Sequence, residues 1–272
     1  MDYFVWSASP IAFSLGSITV FWYGILFATS ILLGLEFMKW AFRIEGKNEA
    51  TIEPLFLYTV VGIVVGARLG HCLFYDPAFY LAHPLKIFAV WEGGLASHGG
   101  GLGAIIALYF GAKKYKVNYE GRESSLGYKM DFLWLIDRLI VPTALFGFLV
   151  RMGNFMNSEI VGTKTDVSWA VVFTKVDMFP RHPAQLYEAF SYLAIFILLF
   201  SIYKFSKAKV QPGLLFGIFL TLVFSARFLV EFVKVKQADY DTSFLFMSTG
   251  QALSIPFLLV GIGFIFWSLK KS

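Results

Sequence analysis

Seven stretches of mostly apolar residues alternate with shorter polar connections along the chain. They lie at residues 17–38, 54–75, 97–112, 131–150, 184–203, 212–233 and 249–269. A bilayer core of ~30 Å needs about 20 such residues in a helix, so each stretch is a candidate span. The third is short and rich in glycine, and the fourth, fifth and sixth carry polar residues at their ends. The pattern predicts an all-α polytopic membrane protein of about seven transmembrane helices, a single transmembrane domain over residues 1–272; counts of six or eight also fit.

Two stretches interrupt the rhythm. Residues 76–99 hold an apolar piece too short to span, which could lie at the interface or re-enter the membrane where protein or water satisfies its backbone. Residues 154–182 are polar, with a β-like core in Ser-Trp-Ala-Val-Val-Phe. They read as a small extramembrane cap on the outer face, inserted between the fourth and fifth spans. No internal repeat is evident, which disfavours transporters built from paired halves.

Composition agrees with the spans. The chain is 57% hydrophobic and only 15% charged, against roughly 25% charged in soluble domains, and its mean hydropathy is +0.67. The formal charge of +5 does not indicate nucleic acid, because the basic residues fall in short clusters between spans. Thirteen lie on one side: Lys39, Arg43, Lys47, Lys113, Lys114, Lys116, Arg122, Lys129, Lys204, Lys207, Lys209, Lys270 and Lys271. Six lie on the other: Lys86, Lys164, Lys175, Arg181, Lys234 and Lys236. The positive-inside rule then puts the N-terminus outside and the C-terminus in the cytoplasm. The first residues, with Asp2 and no basic cluster, do not read as a cleavable leader. The single cysteine, Cys72, rules out a disulfide framework and reads as a small buried hydrophobe.

Arg68, Arg138, Arg151 and Arg227 lie within or at the ends of spans, where a charge needs a partner or a purpose. Arg138 follows Asp137 and reads as structural. Arg227 and Glu231 are spaced to share a helix face and can pair. The densest polar stretch, Arg151 to Gly162, offers Arg151, Asn154, Asn157 and Glu159 at the end of an apolar helix. A guanidinium forks onto phosphate oxygens and amides hold hydroxyls, so this set suits an anionic headgroup. His98 sits among glycines at membrane depth, where an imidazole can take a proton near neutral pH. Ser97 beside it is poorly placed to pair with it as a nucleophile. His182 opens the fifth span, with Gln185 and Glu188 one turn apart on a polar seam. No spacing of His, Asp or Glu resembles a metal site, and the glycine runs lack the Lys-Ser/Thr of a phosphate loop.

Phe-Trp-Tyr-Gly at 21–24, Gly-Ala-Arg-Leu-Gly at 66–70, Trp91-x-Gly-Gly-x-x-Ser-His-Gly-Gly at 91–100, Arg151 to Gly162, Arg-His-Pro-Ala-Gln-Leu-Tyr-Glu at 181–188, Arg-Phe-x-Val-Glu-Phe at 227–232 and Gly-Gln-x-Leu-Ser-Ile-Pro at 250–256 occur in one order. Together they resemble the bacterial prolipoprotein diacylglyceryl transferases over nearly the whole chain. The resemblance implies transfer of a diacylglyceryl group from phosphatidylglycerol to the lipobox cysteine of a preprolipoprotein signal peptide, in the inner membrane and without a cofactor. It further implies that Arg151 and Arg227 hold phosphate and that His98 is base or orienter, with Tyr23 nearby. Asn154, Asn157, Glu159 and Gly162 would shape the headgroup pocket, and Glu231 would position Arg227. The chain departs from the family pattern at Val150, Val223, His71 and Lys234. A lipid or anion transporter and an intramembrane protease using Ser97 and His98 are the rival classes.

Overall fold

The computed structural model describes residues 2–90, 93–94, 96–114, 116–117, 128–129, 132–206, 211–235 and 247–270. Of the residues singled out above, Trp91, Arg122, Lys207, Lys209, Lys236 and Lys271 lie outside the described residues. So do the side chains of Ser97, His98, Lys116 and Lys129.

The elements run β1 (Phe4–Trp6), β2 (Ile11–Leu15), β3 (Ile18–Phe21), α1 (Trp22–Ile44), α2 (Ile52–Phe74), α3 (Pro77–Ala82), α4 (Ser97–Lys114), β4 (Lys116–Val117), β5 (Tyr128–Lys129), α5 (Phe132–Asn157), β6 (Val171–Phe173), β7 (Pro180–Arg181), α6 (Ala184–Ser206), α7 (Leu214–Val230) and α8 (Thr249–Lys270). Among the described residues, six helices are long and apolar enough to cross a membrane: α1, α2, α5, α6, α7 and α8. The seventh long helix, α4, has 18 residues and opens on a Ser-His-Gly-Gly-Gly run that dilutes its apolar character. The fold is that of a polytopic helical membrane protein. Exposed Leu32, Leu57, Phe190, Leu229, Leu259 and Phe266 give these helices apolar outer faces suited to lipid tails.

The first expected span starts too early. Residues 11–21 form the antiparallel hairpin β2–β3, with Phe13 opposite Val20 and Leu15 opposite Ile18, and the helix begins only at Trp22. Hydropathy does not separate a strand from a helix in a short apolar run. Gly16, at φ 59°, makes the turn, and the β-branched Ile18, Thr19 and Val20 favour the strand. The fourth span is longer than expected, since α5 stays helical through Asn157.

The chain divides into two compact units, residues 1–37 with 136–272, and residues 38–135. In the first, Asp137 on α5 is fully buried and accepts from the Gly213 and Phe216 amides at 2.6 and 2.9 Å. It satisfies the otherwise unpaired amides that start α7. The neighbouring Arg138 is also buried, its guanidinium 5.6 Å from the Tyr203 ring centroid. Helices α7 and α8 meet where a Cβ on Gly217 would come within 2.8 Å of the Gly261 carbonyl oxygen.

The stretch between α5 and α6 folds onto the N-terminus. Strand β6 pairs in parallel with β1 and antiparallel with β7. Phe155, Val171 and Phe173 are buried with Trp6, Val161 and Leu186 packed against them, and the Trp6 indole donates to the Phe155 carbonyl at 3.1 Å.

In the second unit, α2 and α4 pack through facing glycines. A Cβ on Gly62 would sit 2.6 Å from the Gly103 carbonyl oxygen, and one on Gly70 would sit 2.9 Å from Gly99 Cα. Small residues at such a seam let two membrane helices approach closely, which is their main source of association in lipid. The apolar piece within residues 76–99 forms α3 and a 3-10 turn over Pro84–Phe88.

Candidate active site

Helix α5 ends in a way that gathers polar side chains. Ser158 adopts a left-handed conformation, φ 58°, and donates its amide to the Phe155 carbonyl, while the Glu159 amide reaches back to the Asn154 carbonyl at 2.9 Å. These two bonds form a Schellman terminus. Ile160 is also left-handed, φ 58°, a strained state for a β-branched residue and one that clusters at functional positions. The turn folds Glu159 back onto its own helix. Its carboxylate accepts from Asn154 Nδ2 at 3.2 Å and Asn157 Nδ2 at 3.1 Å, and its carbonyl accepts from Gln185 Nε2 at 2.6 Å.

Arg151 lies two turns earlier on α5. Its Nη1 donates to Asn154 Oδ1 at 3.2 Å, and its Nε stands 2.7 Å from Glu188 Oε2 on α6. Glu188 is fully buried; its other oxygen accepts from Lys234 Nζ at 2.8 Å. Lys234 also approaches Glu231 Oε2 at 3.4 Å. Arg227 lies among Tyr192, Glu188 and Glu231, and Tyr192 in turn faces Glu188, Arg227 and Arg151. Arg151, Arg227, Lys234, Glu188, Glu231 and Tyr192 thus gather from α5, α6, α7 and the turn after α7 around the buried Glu188 and Tyr192, the other four being partly exposed. With Glu159, which reaches Arg151 through Asn154, three carboxylates face three cations, and such a concentration of charge among membrane helices is costly unless it has a use.

Gly162 locks the turn in place. Its amide donates to the His182 carbonyl at 2.9 Å, and the adjoining Thr163 amide donates to Val233 at 2.7 Å. A Cβ there would lie 2.6 Å from His182 Cβ and 2.7 Å from the Val233 carbonyl oxygen. Arg181 donates to the Gly162 carbonyl at 3.1 Å and pairs with Asp177. The guanidinium's hydrogen bonds hold the Asp177 carboxyl below its usual range, and the same pairing raises Arg181. His182 Nδ1 meets the Tyr187 hydroxyl at 3.1 Å.

Of the residues singled out in sequence, Arg151, Asn154, Asn157 and Glu159 form one hydrogen-bonded chain, and Arg227 and Glu231 stand in the adjoining ionic cluster. Tyr23 packs its ring over Gly153, where a Cβ would be 2.7 Å from Tyr23 Cδ2. The expected Arg227–Glu231 ion pair is not formed: α7 gives way to a 3-10 turn at Glu231, whose carboxylate pairs with Lys234 at 3.4 Å and acts on Arg227 only as a nearby charge. His98 is in the first turn of α4, in the second unit, and its side chain lies outside the described residues.

Three members of the cluster escaped the sequence reading. Glu188 is visible as part of a polar seam and of the 181–188 block, Lys234 as a loop charge and a departure from the family pattern, neither as a site residue, and Tyr192 gives no signal within its apolar helix.

Fold and site define a multi-pass membrane protein with a densely charged polar centre around the buried Glu188. The chain belongs to the prolipoprotein diacylglyceryl transferase family, whose model matches residues 10–267. It is 51% identical over 266 residues to the phosphatidylglycerol–prolipoprotein diacylglyceryl transferase of Tolumonas auensis, with 98% of each chain covered. Against the protein of that name from Chloroherpeton thalassium it is 50% identical over 272 residues, covering 100% of this chain and 96% of the other. The Bacteroides fragilis protein of that name is 43% identical over 279 residues, with 98% and 95% covered.

Proposed function

We propose that this protein transfers the diacylglyceryl group of phosphatidylglycerol to the lipobox cysteine thiol of preprolipoproteins, the first step of bacterial lipoprotein maturation. The cluster around the buried Glu188 is the observation that carries this reading, supported by relatives of that name along the whole chain. The reaction expels a phosphate, and preorganised cations are what such a leaving group requires.

In the step itself, the cysteine sulfur attacks the glyceryl carbon bonded to the phosphate oxygen. The carbon–sulfur bond forms as that carbon–oxygen bond breaks, and glycerol 1-phosphate departs with the electron pair. The thiol, with a reference pKa near ~8.5, must lose its proton to react. His98 takes that proton or orients the thiol. Arg151 and Arg227 hold the phosphate and take up its developing charge. Asn154, Asn157, Glu159 and Gly162 shape the headgroup pocket beside Tyr23, and Lys234 holds Glu188 and Glu231 in register.

The protein works in the bacterial inner membrane with its N-terminus outside and its C-terminus in the cytoplasm, an orientation supported by the thirteen-to-six division of basic residues and one that requires α4 to cross as a seventh span beside the six longer helices. The site then stands toward the outer leaflet, and the segment between Gly162 and α6 caps it there. The test is glycerol phosphate release by the purified protein in detergent, given phosphatidylglycerol and a lipobox peptide. Release that needs both substrates supports the transferase. A folded protein that releases none, yet moves lipid across liposome membranes, is a transporter instead.

A further inference from the structure

We propose that Arg68 is a positioning residue for this reaction, fixing the chain that carries His98 into α4. The proposal rests on the role given to His98 above.

Arg68 lies on α2 and is 3% exposed. Its Nε donates to the Ile87 carbonyl at 2.9 Å and its Nη2 to the Lys86 carbonyl. Its Nη1 donates to the carbonyls of both Gly93 and Gly94. One guanidinium therefore ties together the two ends of the segment that leads from the 3-10 turn to α4. Gly93 and Gly94 have φ of 89° and 69°, a left-handed pair that turns both carbonyls toward the same nitrogen. A Cβ on Gly94 would be 2.9 Å from Arg68 Nη1 and 2.7 Å from His71 Nε2. Two residues on, the Ala96 amide donates to the carbonyl of Ala67, next to Arg68 on α2, at 2.9 Å. Helix α4 then begins, with His98 second in its first turn.

Four carbonyls around a planar fork is geometry that lysine does not reproduce, because its donors share one nitrogen. The α2–α4 glycine seam does not involve the Arg68 side chain, so loss of that side chain loosens the approach to His98 while the helix pair stays packed. A misplacement of about 1 Å in a reacting group lowers rates by about 100-fold.

The test uses full-length protein in detergent with phosphatidylglycerol and a lipobox peptide, comparing Arg68→Lys, Arg68→Gln, His98→Gln and the double variant Arg68→Gln/His98→Gln. Each Arg68 variant is expected to lower kcat by about 30-fold or more, with the KM for phosphatidylglycerol within about threefold. In the His98→Gln background, Arg68→Gln is expected to change the residual rate by less than about twofold, because the group it positions is gone. If Arg68→Gln does not fold, Arg68→Lys takes its place in the cycle. Full rescue by lysine, a rise in KM alone, or multiplying losses in the double variant would overturn the proposal. A His98→Gln protein at the wild-type rate overturns it together with the role of His98. A folded wild-type protein without transfer overturns the proposed function itself.

Discussion

Arg151 Nε and Glu188 Oε2 face one another at 2.7 Å across α5 and α6, and the same buried carboxylate receives Lys234 on its other oxygen. Glu188 is therefore the shared counter-charge of two cations. Removing one partner of a buried pair costs about 3–5 kcal/mol, because the other charges stay uncompensated. Glu188→Ala is expected to lower the melting temperature sharply and to abolish transfer. Glu188→Gln, which keeps the shape, should melt closer to wild type. Thermal melting in detergent beside the transfer rate checks both.

Arg151→Lys retains the charge but loses the fork that spans Glu188 and Asn154 and, in the proposed reaction, the phosphate. Its kcat/KM is expected to fall about 100-fold, the scale of one lost transition-state donor, while its melting temperature changes little. Steady-state kinetics with varied phosphatidylglycerol measure this. A loss confined to KM would mean that Arg151 serves binding only.

Gly162→Ala forces a methyl group against the His182 Cβ and the Val233 carbonyl. Both neighbours are held by main-chain bonds and cannot yield cheaply. Overpacking of this kind costs about 1–3 kcal/mol, and the displaced turn carries Glu159 away from Asn154 and Asn157. The expected outcome is a lower melting temperature together with a large loss of activity. Gly101→Ala, where a Cβ would meet nothing within 4 Å, is the control for an added methyl group.

The Asp177–Arg181 pair makes the segment between α5 and α6 acid-sensitive. The Asp177 carboxyl is held below its usual range by Arg181, so the stabilisation is complete above the unfolded aspartate value of about 3.9. It fades as pH falls through the lowered folded value. The melting temperature of Asp177→Asn is expected to lie below wild type by a constant margin near neutral pH, and the margin should shrink under acid. A margin that grows with acid would reverse the assignment.

The spans were legible in the sequence because bilayer thickness imposes a length and hydropathy reports burial in lipid. The start of the first span was not, because Ile11–Phe21 is as apolar as a helix and only the Gly16 turn and the β-branched run mark it as a hairpin. The Arg151–Gly162 stretch was legible because its side chains are neighbours in sequence and their surplus exceeds what a helix end needs. The cluster around Glu188 was not, since Glu188 and Lys234 stand 46 positions apart and only the packing of α6 beside the end of α7 unites them. Tyr192 is an ordinary aromatic by local pattern, and its neighbours alone give it electrostatic significance.

The most direct test of the transferase account is the intact mass of a lipobox peptide after incubation with phosphatidylglycerol and either wild-type protein or folded Arg151→Ala. The account calls for a diacylglyceryl mass gain with wild type, matched by glycerol phosphate release, lost when the peptide cysteine is serine and nearly lost with Arg151→Ala. A peptide unchanged by folded wild-type protein would contradict the account, and wild-type transfer by Arg151→Ala would contradict its central site.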